Sequence, residues 1–521
     1  MRKLLSVLLV AMILLATTAC SSSQPTTTGD SGSTDDTTMY IEVTTAPVGL
    51  HPLKTNDSPS TYVSGQIFET LYERTDDGTS YEPLLAESMP EYSEDGLTAT
   101  IKLRQGVKFH DGSDFTADDV AYMIDSIKDP DYGSQRVSIV ESIESYEIID
   151  DYTIALHLTY VDGVLVAKLA HTNAAIVNPE LDQSQDLLID PTGAGTGAYK
   201  YESSIPGSSY TLVANEDYWG GAPEVKKVQF DVVADESTAI ARLQTGEADF
   251  YLLGSADSYN TANNIPGYTL VNEGSSSIYY MALRSTEETS ANPLMANLDF
   301  RKAIIEAIDF DTYIETMLSG LASRSQSIVG PTLVGYVEEM EQAGYTYNKE
   351  DAQALIDANG WAGEEVTLFV STREWQQDLA VYMQAQLAEV GITLNIVSEE
   401  WASFLTSAKE DKKYDMIILT WSNVTGDGQQ MLEPNFSTTN GTRVKYNNAE
   451  FDEMVQNSVL TTVLEERQAY MLEAVNKIQG DAITTPVYSA NQLFVYNSDK
   501  FANVILDAGG KYSIKDVTVV K

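Results

Sequence analysis

Residues 366–370 (VTLFV), 376–390 (QQDLAVYMQAQLAEV), 392–397 (ITLNIV), 401–409 (WASFLTSAK) and 414–421 (YDMIILTW) decide the fold. The first is a short apolar run, as expected of a buried strand, and the third and fifth read as further strands. The second and fourth read as helices, and Gly391 stops the longer one. Just upstream, Asn348 is placed to cap a helix that turns Ala352, Leu355 and Ile356 inward, with Gly360 beyond its end. Strand, helix, strand, helix, strand at this spacing predicts right-handed crossovers and a parallel sheet in an α/β fold. Such sheets bind ligands beyond the carboxyl ends of their strands. That rim would hold Arg373 after one strand and residues 421–427, from Trp421 to Asp427, after another. A loop charge is ordinarily solvated. A cation and an anion at one rim with aromatic surface between them could instead hold a zwitterion by its two ends.

Working outward, residues 224–249 read as a strand followed by a helix ended by Gly246, and 268–283 as a strand broken at Gly274 that carries Tyr279 and Tyr280. Residues 97–103 (LTATIKL) alternate like a half-buried strand. Thr116 then caps a helix whose Val120, Met123, Ile124 and Ile127 form one apolar stripe. The glycine-rich run from Gly193 to Gly197 leads into a strand-like segment, so it reads as a tight turn or chain crossing; a phosphate cradle would open a helix.

Aromatic content of 9% and hydrophobic content of 43% place the body among folded globular chains. The acidic excess, 77 Asp plus Glu against 31 Lys plus Arg, repels phosphate backbones and excludes nucleic acid as a partner. Four histidines without helical ligand spacing and a single cysteine argue against a metal or thiolate site, and no nucleophile elbow, P-loop or zinc-protease motif is present. No cofactor is expected. That cysteine, Cys20, follows a basic start (Arg2, Lys3), a short apolar run and the small residues Thr17, Thr18 and Ala19. Residues 1–19 therefore read as a signal peptide, too short to span a bilayer, and Cys20 as an acylated first residue. Residues 21–38 (SSSQPTTTGDSGSTDDTT) hold no large apolar side chain and read as a flexible tether.

A longer pattern resembles a known family. Leu85-Ala86-Glu87-Ser88, residues 93–98 (SEDGLT), 102–112 (KLRQGVKFHDG) and 115–120 (FTADDV) resemble the signature of family 5 extracellular solute-binding proteins, the peptide- and nickel-type receptors of ABC importers. The likeness continues through 195–199 (GTGAY), 215–221 (NEDYWGG), 243–249 (LQTGEAD), Phe300-Arg301-Lys302-Ala303, Gly391-Ile392 and Glu400-Trp401. Arg284 departs from the asparagine often found there. The resemblance implies a two-lobed periplasmic-binding-protein-like fold of type II, cluster C. The first lobe would comprise 39–283, with an extra subdomain at about 60–190, the second 284–489, and 490–521 would return to the first. It further implies a non-catalytic, monomeric, lipid-anchored receptor on the outer side of the membrane, which captures a short peptide and delivers it to permease subunits. Asp427, six residues after Trp421, matches the aspartate that holds the peptide's α-amino group. Arg373 resembles the carboxylate-binding arginine less closely. Trp401, Tyr279 and Tyr280 are candidates to wall the pocket or to be ordinary core, and Trp421 is a further ligand-binding candidate. The same family includes receptors for nickel complexes, haem and sugars; a sensory lipoprotein or a secreted hydrolase are readings from other classes.

Overall fold

The three predicted strands of the central stretch form as Glu365–Ser371, Thr393–Glu399 and Met416–Ser422 in a computed structural model that describes residues 37–423 and 425–521. Residues 1–19, Cys20 and nearly all of the tether lie outside the described residues. Glu365–Ser371 lies between the other two and pairs with both in parallel, as the alternation of elements predicts. The intervening helices are Glu374–Glu389 and Trp401–Ser407.

Burial on both faces explains the apolar runs of Glu365–Ser371 and Met416–Ser422, whereas Thr393–Glu399 is an edge strand that alternates buried and exposed. Leu368 and Val370 share a core with Met416, Ile418, Leu379 and Met383. Their neighbour Phe369 points the other way and packs with Ile417, Leu419, Phe404 and Phe436. Each fully buried side chain of this kind contributes roughly 1.5–3 kcal/mol.

Met416–Ser422 next pairs antiparallel with the 16-residue strand Tyr268–Leu283, which in turn pairs antiparallel with Thr484–Asn497. Beyond these lie Phe250–Leu252, Thr38–Val43, Lys227–Val232, Ser209–Ala214 and Tyr199–Ile205. The two long strands thus serve both ends of one sheet. Their ladder slips between Gly274 and Ile278, where side chains also change core. Val271 packs against the large core of the first lobe, whereas Ile278, Tyr280 and Met281 belong to the two cores of the second. The change falls in the polar stretch 272–277 (NEGSSS), at the break that the sequence shows at Gly274 and several residues before the boundary at 283–284 expected from sequence.

The first lobe adds a separate four-stranded sheet of Glu91–Tyr92, Thr98–Lys102, Thr153–Leu158 and Ile143–Asp150. Helix Ala117–Lys128, capped by Thr116 as predicted, buries Val120, Met123, Ile124 and Ile127. The glycine-rich run is a chain crossing: a Cβ on Gly195 would lie 2.0 Å from the Ile67 carbonyl oxygen.

Candidate ligand-binding cleft

Ser371, Glu399 and Ser422 end three parallel strands at one rim. Arg373 follows the first strand as the N-cap of helix Glu374–Glu389. Its side chain is exposed, and the guanidinium lies 3.5 Å over the Trp401 ring. Tyr279 stacks on Tyr488 at 4.3 Å and meets Trp375 edge-on at 4.8 Å. Burial raises the Tyr279 phenol, and the nearby Arg373 charge opposes that shift. Trp421 packs against the second-lobe core with its indole N–H buried and without a partner among the described residues.

Asp427 is turned away from this group. It pairs with Val334 in an isolated parallel bridge and is 1% exposed. Its Oδ1 accepts from Arg467 Nη2 at 2.8 Å and from the Gln429 N–H at 3.0 Å, while Oδ2 is buried with no partner among the described residues. Burial pulls the Arg467 guanidinium down, but the Asp427 carboxylate outweighs it and holds the group above its ordinary value. Tyr81 comes from the first lobe, donates to the Thr425 carbonyl at 2.8 Å, and has its phenol raised by burial and by the Asp427 charge.

Two cavities adjoin this region. One of about 660 Å³ is walled from both lobes, with Arg136, Tyr160, Lys168 and His171 on one side and Gln429, Gln430, Glu433, Asn440, Asp452 and Gln456 on the other. A second, of about 210 Å³, lies mostly within the first lobe between Tyr62, Gln66, Glu73, Arg74, Lys511 and Lys515. Asp427, Arg373, Trp421, Trp401 and Tyr279 line neither cavity. Arg373, Trp401 and Tyr279 share the strand rim, but Asp427 does not face them. The cleft residues carry no linear signal, since they come from separate segments that only the tertiary fold brings together.

Several signature residues act as internal ties. Thr196 and the aromatics of NEDYWGG converge on Glu69, whose carboxylate accepts from Thr196 Oγ1 at 2.8 Å, Tyr218 OH at 2.6 Å and Trp219 Nε1 at 3.1 Å. Asp249 of LQTGEAD accepts from the Tyr40 N–H, Asn497 and Lys500. Arg301 donates to the carbonyls of Met295, Asp481 and Ala482. The departing residue, Arg284, is 1% exposed and binds the carbonyls of Ala408 and Glu410 and the Tyr414 hydroxyl, fastening the loop before Met416–Ser422. Among the described residues no cluster of three or more His, Cys, Asp or Glu could hold a metal, and no helix is long and apolar enough to cross a membrane.

Two lobes on one sheet, joined by a crossing strand pair and enclosing a cleft, define a solute-binding fold. Residues 80–443 match the bacterial extracellular solute-binding proteins, family 5 middle, and the chain belongs to that family. It is 27% identical over 490 residues to heme-binding protein A of Haemophilus influenzae, covering 88% of each chain. It is 25% identical over 470 residues to the oligopeptide-binding protein AppA of Bacillus subtilis, covering 85% of this chain and 84% of the relative. Among solved structures, HbpA2 from Haemophilus parasuis superposes with a TM-score of 0.83 at 23% identity, covering 93% of this chain and 100% of that one.

Proposed function

We propose that this chain is the receptor of an ABC importer and captures short peptides between its lobes without breaking any bond. The observation that carries this reading is the cavity of about 660 Å³ walled from both lobes, a size suited to a small ligand. Gln429, Gln430, Asn440 and Gln456 offer both donors and acceptors there, as recognition of main-chain amides independent of side-chain identity requires. The name of the Bacillus relative supports the same reading. Haem or another non-peptide solute is the second reading, favoured by the name of the Haemophilus relative and by Ile139, Val164, Val455, Val459 and Leu460 on the same walls.

In this reading the unpartnered Oδ2 of Asp427 accepts the ligand's α-ammonium once Tyr81 moves aside with the first lobe. Arg373 on Trp401, with Tyr279 and Trp421 beside it, forms an outer wall. The lobes divide at the ladder slip between Gly274 and Ile278, which serves as the hinge, and 490–521 returns to the first lobe. Cys20 carries the acyl chains that hold a monomeric receptor to the outer face of the membrane, with 21–38 as its leash, and the closed form is the one the permease takes. Native mass spectrometry of detergent-extracted full-length protein tests this: acyl chains on Cys20 and a co-purified peptide mass are expected. A porphyrin or other non-peptide mass would overturn the peptide assignment, and an unmodified Cys20 would overturn the anchor.

A further inference from the structure

Arg136, His171 and Thr425 line both cavities, so they stand at the throat between them. Arg136 is partly buried, its Nε has no hydrogen-bond partner, and it forms no ion pair among the described residues. Other charged groups around the larger cavity are engaged. Lys168 binds Asp162 at 2.8 Å and Glu141 at 3.4 Å, Glu433 accepts from Gln429 and Asn440, and Asp452 accepts from the Thr438 N–H.

His171 adds a neutral donor. Its Nδ1 accepts from the Asn173 N–H at 3.0 Å, which leaves the ring proton on Nε2. Burial, with the neighbouring Arg136 charge, lowers this imidazole to about 3, so it stays uncharged at neutral pH. Burial also lowers the Arg136 guanidinium, and no carboxylate among the described residues offsets it. A guanidinium partly removed from water without an anion is costly, and its planar fork suits a carboxylate.

We propose that the throat formed by Arg136, His171 and Thr425 is an anion subsite that takes a carboxylate of the captured ligand, with Arg136 as its charge partner. This rests on the peptide reading above and identifies the end of the peptide that lies against the first lobe. A free C-terminal carboxylate would receive the Arg136 fork and the His171 Nε2–H, and extension past the throat would enter the smaller cavity.

The test is calorimetry and thermal shift on the full-length protein, as wild type, Arg136→Gln and Arg136→Lys, with tri-alanine, penta-alanine and their C-terminal amides, and separately with succinate and citrate. Wild type is expected to bind the free-acid peptides about ten- to hundred-fold more tightly than the amides. Arg136→Gln should abolish that preference at unchanged melting temperature, and Arg136→Lys should retain part of it. Equal wild-type affinities for acid and amide, or full acid affinity in Arg136→Gln, would overturn the subsite while leaving peptide capture standing. Succinate or citrate binding to wild type but not to Arg136→Gln, with no peptide bound, would keep the subsite and remove the peptide reading. Binding of no carboxylate at all would overturn both.

Discussion

Asp427 and Arg467 illustrate how one contact changes what a residue is expected to do. From sequence, Asp427 is a loop acid free to meet an ammonium; in the structure it is the counterion of a buried guanidinium. Neutralising it leaves Arg467 uncompensated, so Asp427→Asn should lose roughly 3–5 kcal/mol of stability in urea unfolding. Wild-type stability in that variant would show the pair to be open to water. A second residue-scale outcome concerns Asp182. Burial alone would raise its carboxyl, but hydrogen bonds from His51 at 2.9 Å, Tyr132 at 2.6 Å and Tyr122 at 2.7 Å hold it at about 2, below its ordinary value of 3.8. A depressed carboxyl stabilises the fold above its unfolded pKa and loses that contribution as pH falls through the folded one. The window is therefore about pH 4 to 2, and the loss is of the order of 1–2 kcal/mol. Melting curves across it should fall more steeply for wild type than for Asp182→Asn; parallel curves would remove Asp182 from the acid response.

At the scale of elements, the signature motifs hold segments together. Glu69 follows helix Ser58–Ile67 and gathers donors from the crossing at Thr196 and from the turn that carries Tyr218 and Trp219. Removing its carboxylate strands three donors, two of them in buried residues. Glu69→Ala should cost at least about 3 kcal/mol in chemical unfolding, since each unsatisfied buried group costs about 1–3 kcal/mol. A loss below 1 kcal/mol would mean that water replaces the carboxylate. Strand and helix positions in this stretch were legible because local periodicity states them. Expected strands 366–370 and 392–397 form as Glu365–Ser371 and Thr393–Glu399, and Asn348 and Gly360 cap helix Lys349–Asn359. Within Tyr268–Leu283 the break at Gly274 was legible, but that the strand's two halves pack into different cores was not, because packing partners are set by the tertiary fold.

For the whole molecule, the backbone at Gly163 ties the two lobes directly. The Gly163 N–H donates to the Val459 carbonyl at 2.6 Å, and a Cβ on Gly163 would sit 2.0 Å from the Thr461 carbonyl oxygen. Neither backbone can yield without the lobes separating there. Gly163→Val should therefore fold normally yet hold the lobes apart, giving a larger radius of gyration with saturating tri-alanine than wild type in small-angle scattering and roughly ten-fold weaker binding. Identical radii and affinities would show that this contact is not part of the closed form.

The sequence by itself determined the α/β class, the parallel strands with their helices and membership of the receptor family, because each rests on periodicity or on linear motifs. It also placed Arg373 and Trp421 beyond parallel strands at one rim, while the packing of Arg373 on Trp401 is seen only in the structure. Only the tertiary structure decided which charges are free. Asp427 is engaged by a residue 40 positions away, whereas Arg136, unremarkable in its own segment, has no counterion among the described residues where two cavities meet. Charge compensation acts through space over a few ångströms, so no local pattern in the chain records whether it has been met.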